Sequence, residues 1–143
     1  MELRRLLNIG IGPLAGGVGS RGVGSTGGVL GAWNLQARTL KEAHERGVQL
    51  LLGTDGTGGR VGVHMEMEGF LDAGISAADI LRMATLGAAT AEGVDRDLGT
   101  LEVGKLADLL LLDEDPLADL RNARLPWRVI KDGVVVHERE ENR

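Results

Sequence analysis

Cysteine is absent from the 143 residues. Disulfides, zinc–thiolate centres and thiol nucleophiles are therefore excluded. The compartment stays open, with the cytoplasm favoured, because a cysteine-free chain suits either side of a membrane. Aromatic residues make up only 2%, so the stacking platforms that hold single-stranded nucleic acid are missing. There is no excess of positive charge either: 16 basic residues stand against 21 acidic ones, interspersed, for a net charge of -5. Nucleic-acid binding needs a basic face and is not expected. No apolar run approaches the roughly 20 residues that span a bilayer, so no membrane partner is expected. Arg4-Arg5 ahead of Leu6 to Val18 faintly outlines a signal peptide, but Asn8, Pro13 and several glycines break the stretch.

What is present suits a folded chain. Hydrophobic residues at 43% can build a core, and charged residues at 26% keep it in solution. The length fits one domain or part of a larger one. Glycine concentrates between residues 10 and 31. Gly17-Val18-Gly19-Ser20-Arg21-Gly22 and Gly22-Val23-Gly24-Ser25-Thr26-Gly27 both satisfy G-x-G-x-x-G. A phosphate-binding turn of that kind needs a strand before it and a helix directly after it. With Pro13 upstream and further glycines around, an irregular loop is favoured over a nucleotide site.

Beyond the glycine tract the patterning becomes regular. Leu35 to Arg46 has helical spacing, with Leu35, Leu40 and Ala43 inward, Arg38, Lys41, Glu42 and Glu45 outward, and Gly47 as C-cap. His44 falls among those charges and reads as part of a solvated face. Val48-Gln49-Leu50-Leu51-Leu52-Gly53 predicts a buried strand of a parallel sheet covered by helices. The loop Thr54-Asp55-Gly56-Thr57-Gly58-Gly59 would lie at that strand's C-terminal end, where such folds carry their chemistry. His64 to Asp72 predicts a helix ending at Gly74, with Met67, Phe70 and Leu71 inward. Ser76-Ala77-Ala78-Asp79 opens another that runs to Ala91, with Gly93 beyond; Gly87, Ala88 and Ala89 let a neighbour approach closely. Leu106 to Leu112 is a strand candidate, Asp113-Glu114-Asp115-Pro116 a turn, and Asp132-Gly133 a hairpin turn between Arg128–Lys131 and Val134–His137.

Three stretches together resemble the amidohydrolase superfamily, in particular its imidazolonepropionase-like and prolidase-like branch. They are Leu51-Leu52-Gly53-Thr54-Asp55; His64-Met65-Glu66-Met67-Glu68 leading into Ala84-Thr85-Leu86-Gly87-Ala88-Ala89; and Gly99-Thr100-Leu101-Glu102-Val103-Gly104-Lys105-Leu106-Ala107-Asp108-Leu109 followed by Asp115-Pro116-Leu117 and Val129-Ile130-Lys131-Asp132-Gly133. The order and spacing of the three carry the likeness; a lone Gly-Thr-Asp would not. The resemblance implies an α/β chain: the last βα units of a TIM-type (β/α)8 barrel over residues 35–95, then a small β segment of a composite β-sandwich over 96–143. Residues 1–34 stay unassigned.

The resemblance also implies chemistry. It makes Asp55 the catalytic carboxylate and metal ligand at the end of the eighth barrel strand. The divalent metal, zinc first, would lower the pKa of bound water and polarise the scissile carbonyl, and the carboxylate would pass a proton to the leaving nitrogen. On local sequence alone the first half of an Asp-Gly turn is the favoured reading of Asp55. His64 and Glu66 are substrate-pocket candidates, with a polar helix start as the plain alternative. Glu68, Lys105 and Asp108 take no catalytic role.

A complete barrel needs about 250 residues, and no H-x-H pair is present among His44, His64 and His137. Asp55 is then the one metal-site residue that carries over, and a catalytic metal takes three or more protein ligands. The expectation is the C-terminal portion of a metal-dependent enzyme hydrolysing C–N bonds of a small-molecule amide, cyclic amide or dipeptide. On its own it is expected to be inactive and to hold no metal stably. A catalytically dead interaction module is the alternative. The open edge at Val48–Gly53 and an uncovered stripe of Phe70, Leu71, Ile80 and Leu81 would favour self-association or a complementing N-terminal fragment.

Overall fold

A computed structural model describes residues 26–54 and 62–140, with side chains of the first helix from Asn34 onward. The chain forms two compact units, Met1–Ser76 and Ala77–Arg143. Among the described residues no helix is long and apolar enough to cross a membrane.

The first unit contains helix α1 (Thr26–Glu45) and helix α2 (Gly62–Asp72). Helix α1 begins well before Leu35, inside the tract expected to be an irregular loop; the G-x-G-x-x-G runs otherwise lie outside the described residues. Leu40 is buried and Ala43 half-buried, while Leu35 is exposed, so the inward stripe is narrower than its spacing suggests. The helix stops at Gly47 in a left-handed conformation (φ 77°). There Gly47 N donates to His44 O (2.9 Å) and Val48 N to Ala43 O (3.0 Å), the paired bonds of a Schellman turn. The same pairing closes α2 at Gly74 and Ile75, so both predicted glycine stops are in place. On α2, Gly62, Glu66, Met67, Gly69 and Phe70 make the buried face. Leu71, expected inward, is 41% exposed, because it lies one residue beyond that stripe.

The predicted strand at Val48–Gly53 does not form. Residues 48–54 follow the α1 stop without joining any sheet, and only Leu50 is buried. A strand is defined by the ladder it makes with a neighbour, and no strand of the first unit is found among the described residues. Of the stripe expected to be bare, Phe70 and Ile80 are buried at 1% and 0% exposure, Leu81 is half-buried and only Leu71 is exposed. Further exposed apolar side chains include Leu101, Val103 and Val134 to Val136.

The second unit opens with a nearly continuous helical segment: α3 (Ala77–Arg82), a π-helical turn (Met83–Gly87) and α4 (Ala88–Glu92). Thr85 Oγ1 donates back to Leu81 O at 2.8 Å, a local bond of the sort that loosens the α ladder. The segment ends at Gly93 with the Schellman pairing again. The chain then turns back across it. A methyl group at Gly99 would stand 2.8 Å from Ala89 Cβ and 3.0 Å from Leu86 Cα. The small residues of Leu86-Gly87-Ala88-Ala89 thus admit a neighbour, as their size suggests.

Lys105 fastens the loop that follows. Its Nζ donates to Asp95 O (2.7 Å) and to Thr100 Oγ1 (2.6 Å), and Thr100 Oγ1 donates to Glu102 Oε1 (2.7 Å). Three short antiparallel strands complete the unit in the order β1–β2–β3: β1 (Leu109–Leu111), β2 (Arg128–Lys131) and β3 (Val134–Glu138). The predicted strand over Leu106–Leu112 is thus shorter than its apolar run. A 3-10 turn (Leu120–Arg124), capped by the Asp119 side chain, lies between β1 and β2. Asp132 (φ 51°) and Gly133 (φ 76°) both adopt the left-handed turn that matches hairpin twist. A bulge between Val129 and Ile130 shifts the β2–β3 register. Arg128 pairs with Glu138 directly across the ladder (2.6 Å) and lies over the Trp127 ring. Asp108 holds the hairpin from outside, accepting from Lys131 Nζ and from Asp132 N (2.8 Å).

Two outcomes are expected. Gly99→Ala and Gly104→Ala both place a side chain at strongly positive φ (91° and 96°), but nothing lies within 4 Å of Gly104. Gly104→Ala should cost about 1–3 kcal/mol of backbone strain, and Gly99→Ala about 1–3 kcal/mol more from overpacking; equal urea midpoints for the two variants would show that the crossing is soft. The second concerns acid. The Lys131 ammonium, then the Asp132 amide, hold the Asp108 carboxyl below its ordinary 3.8. A depressed carboxylate stabilises the fold fully above 3.8 and loses that contribution as pH falls through its lower folded value. The hairpin amide signals of Asp132 and Gly133 should therefore weaken below pH 3.8 in the wild type. In Asp108→Asn they should show no such step.

Candidate functional site

In sequence, the residues singled out lie between the 48–54 segment and the first turns of α2. Asp55 lies outside the described residues, two positions past Gly53. His64 and Glu66 both lie on α2. At about 100° per residue they point to sides of the helix roughly 200° apart, so the helix does not aim them at one point. His64 is half-buried, whereas Glu66 is 5% exposed.

Glu66 is the one buried charged side chain among the described residues. Neither of its carboxylate oxygens has a hydrogen-bond partner there. Burial pushes its carboxyl up from the ordinary 4.5, and the backbone amide of Gly53 pulls the other way. No hydrogen bond joins the two groups. Burial wins because taking a carboxylate out of water costs several kcal/mol, more than one amide dipole returns.

A divalent metal needs more than this. Among the described residues no three His, Asp or Glu side chains come together in a way that holds an ion. His44 is on α1 and His137 on β3, in different units. The described part of the chain thus does not fit a catalytic metal on its own donors. Lys105 is the polar residue that sequence reading undervalued: placed as a strand-entry residue, its side chain is 13% exposed and braces a loop ten residues long.

Comparisons with known proteins cover most of the described residues. The Amidohydrolase family matches residues 34–136. The 5-methylthioadenosine/S-adenosylhomocysteine deaminase of Moorella thermoacetica is 39% identical over 85 residues, covering 52% of this chain and 20% of the relative. The N-substituted formamide deformylase of Arthrobacter pascens is 39% identical over 72 residues, covering 48% of this chain and 13% of the relative. Among solved structures, a Xaa-Pro dipeptidase with methionine bound in its active site superposes with a TM-score of 0.64 and 30% identity over 70% of this chain and 25% of that one. The chain therefore spans a quarter or less of the length of these proteins. Members of the family are generally metal-dependent. With 34–136 matched out of 143 residues, the chain belongs to the amidohydrolase family.

Proposed function

We propose that this chain is the C-terminal portion of a metal-dependent amidohydrolase that hydrolyses a C–N bond in a small molecule, and that it is inactive by itself. One observation carries the reading: the family match covers 34–136, yet the chain spans a quarter or less of the length of the relatives described above. The deaminase, the deformylase and the dipeptidase share the breaking of a C–N bond, so the proposal extends to that bond class, an amide, cyclic amide or dipeptide. In this reading residues 35–95 close a (β/α)8 barrel and residues 96–143 return into a small composite β-sandwich. Residues 1–34 have no assigned part. Asp55 supplies one carboxylate to a site whose remaining ligands lie in other parts of a complete enzyme, and zinc is the proposed ion. His64 is the substrate-pocket candidate on one side of α2, and Glu66 is the candidate on the buried side.

The run Val48–Gly53 supports the same reading from a different side. It has the composition of an inner barrel strand but no partner strand in its own unit among the described residues. A segment built for two-sided pairing and left without it belongs with strands contributed from elsewhere. The exposed side chains of Val134, Val135 and Val136 on the edge strand β3 fit a sheet that continues into another segment. A catalytically dead module that binds a partner through these same surfaces is the second reading, and the exposed valines favour it as much.

With or without added zinc or manganese, the isolated chain should turn over no amide or dipeptide substrate in a coupled ammonia or amino-acid assay. Metal-dependent turnover that disappears in Asp55→Asn would defeat the proposed inactivity. In size-exclusion chromatography with light scattering the chain should run as an oligomer or a broad distribution, through its unsatisfied edges. A sharp monomer with a single cooperative thermal transition would mean that 143 residues make a self-sufficient fold, and the proposal of a partial enzyme would have to be given up.

A further inference from the structure

An aspartate directly ahead of a glycine, as at Asp132-Gly133, carries a reaction of its own. The Gly133 nitrogen attacks the Asp132 side-chain carbon Cγ, unhindered by any side chain on the glycine. The new N–Cγ bond closes a five-membered imide, and the carboxyl hydroxyl leaves with the amide proton as water. A second water then adds to the Asp132 main-chain carbonyl carbon and breaks its bond to nitrogen. The main chain afterwards runs through Cβ and Cγ as isoaspartate, lengthened by a methylene. Asp132 and Gly133 are both exposed, and a Cβ on Gly133 would meet nothing within 4 Å, so crowding does not prevent this. Conformation does. Ring closure needs the Gly133 nitrogen and Asp132 Cβ nearly eclipsed about the Cα–C bond. Asp132 is left-handed, with φ 51°. In that region ψ is roughly +47°, and the two atoms stand nearly opposite each other.

The stretch just ahead of β1 holds the turn in that state. Gly133 N donates to Ala107 O (3.0 Å), Asp132 N donates to Asp108 Oδ1 (2.8 Å), and Lys131 Nζ donates to Asp108 Oδ2. Rotating the Asp132–Gly133 peptide into position for attack would pull the Gly133 amide off Ala107. We propose that Asp132-Gly133 is a latent isoaspartate site, kept closed by Ala107 and Asp108. It converts only while the hairpin is released from that stretch. Conversion is then one-way for the structure. The turn fixes the pairing of Lys131 with Val134, because turn type and loop length set the register of a hairpin. An added methylene in the turn breaks that register, so the converted hairpin does not close as before. The contacts of Ala107 and Asp108 thus protect the covalent chain as well as the fold. The proposal does not depend on Asp55 or on the hydrolase reading.

Peptide mapping with electron-transfer fragmentation distinguishes isoaspartate from aspartate at position 132. The full 143-residue chain is incubated in mildly acidic buffer and, separately, in urea, as wild type, Asp108→Ala and Asp108→Asn. Each rate in buffer is divided by the same chain's rate in urea. The wild type should convert at least about tenfold more slowly in buffer than in urea, since the reaction waits on an opening that breaks several hydrogen bonds. In buffer, Asp108→Ala should convert about tenfold faster than the wild type, the change expected for losing one hydrogen bond to a charged group. Asp108→Asn keeps a carbonyl acceptor for the Asp132 amide and should fall between the two. Equal wild-type rates in buffer and urea would overturn the proposal. So would equal rates for the wild type and a folded Asp108→Ala. If Asp108→Ala does not fold, Asp108→Asn decides: conversion faster than the wild type supports the closed site, and an unchanged rate rejects it.

Discussion

The second unit depends on a place where two backbones nearly touch. At Gly99 the chain leaves the helical segment and crosses it so closely that a single methyl group would meet Ala89 and the backbone of Leu86. Contact at that range is possible only between small residues, and it commits everything downstream. Once the chain is pinned there, the loop 95–106 is short enough for Lys105 to reach back to Asp95 and Thr100. The loop in turn delivers Leu109 to the start of β1, where it pairs with Ile130. Asp108, one residue earlier, is then in range of the hairpin turn at Asp132. The sheet is only three short strands, too few to be stable without packing or covalent help, and these polar ties are what fix its register from outside.

In the first unit a different constraint decides. Helices satisfy their own backbone bonds, so α1 and α2 form from local pattern and stop at glycine turns. A strand cannot do this. Val48 to Gly53 carries the composition of a buried strand, yet its donors and acceptors need another strand at about 4.8 Å, and the unit offers none among the described residues. The run therefore ends as an extended connection with one buried leucine. Composition specifies which residues tolerate burial, and pairing specifies whether a strand exists.

That division explains what was legible in advance. The glycine stops at 47, 74 and 93 and the Asp132-Gly133 hairpin are local, because each needs only a residue that accepts positive φ at one position. The small residues around Ala89 announced a close approach, and Gly99 supplies it. Leu35 and Leu71 misled because helical spacing locates an apolar stripe only to within a residue, and the neighbour decides its width. Lys105 was opaque for a different reason: its partners, Asp95 O and Thr100 Oγ1, come within reach only after the chain has crossed the helix. The resemblance carried by Leu51–Asp55, the 99–109 return and Val129–Gly133 reached the family directly. Where Glu66 ends up could not be read the same way, since an acid in a first helical turn or two usually faces water.

Glu66 and Asp108 put one chemical group to opposite physical uses. Asp108 is accessible, meets an ammonium and an amide, and is held ionised below its usual range. It works as a charge, and solvent supplies whatever the protein does not. Glu66 is buried, neither of its oxygens has a hydrogen-bond partner, and burial pushes its carboxyl up. An acid buried without a hydrogen-bond partner is costly. The first carboxylate makes the fold more secure at neutral pH. The second makes it less so, because burial favours the uncharged form of its carboxyl.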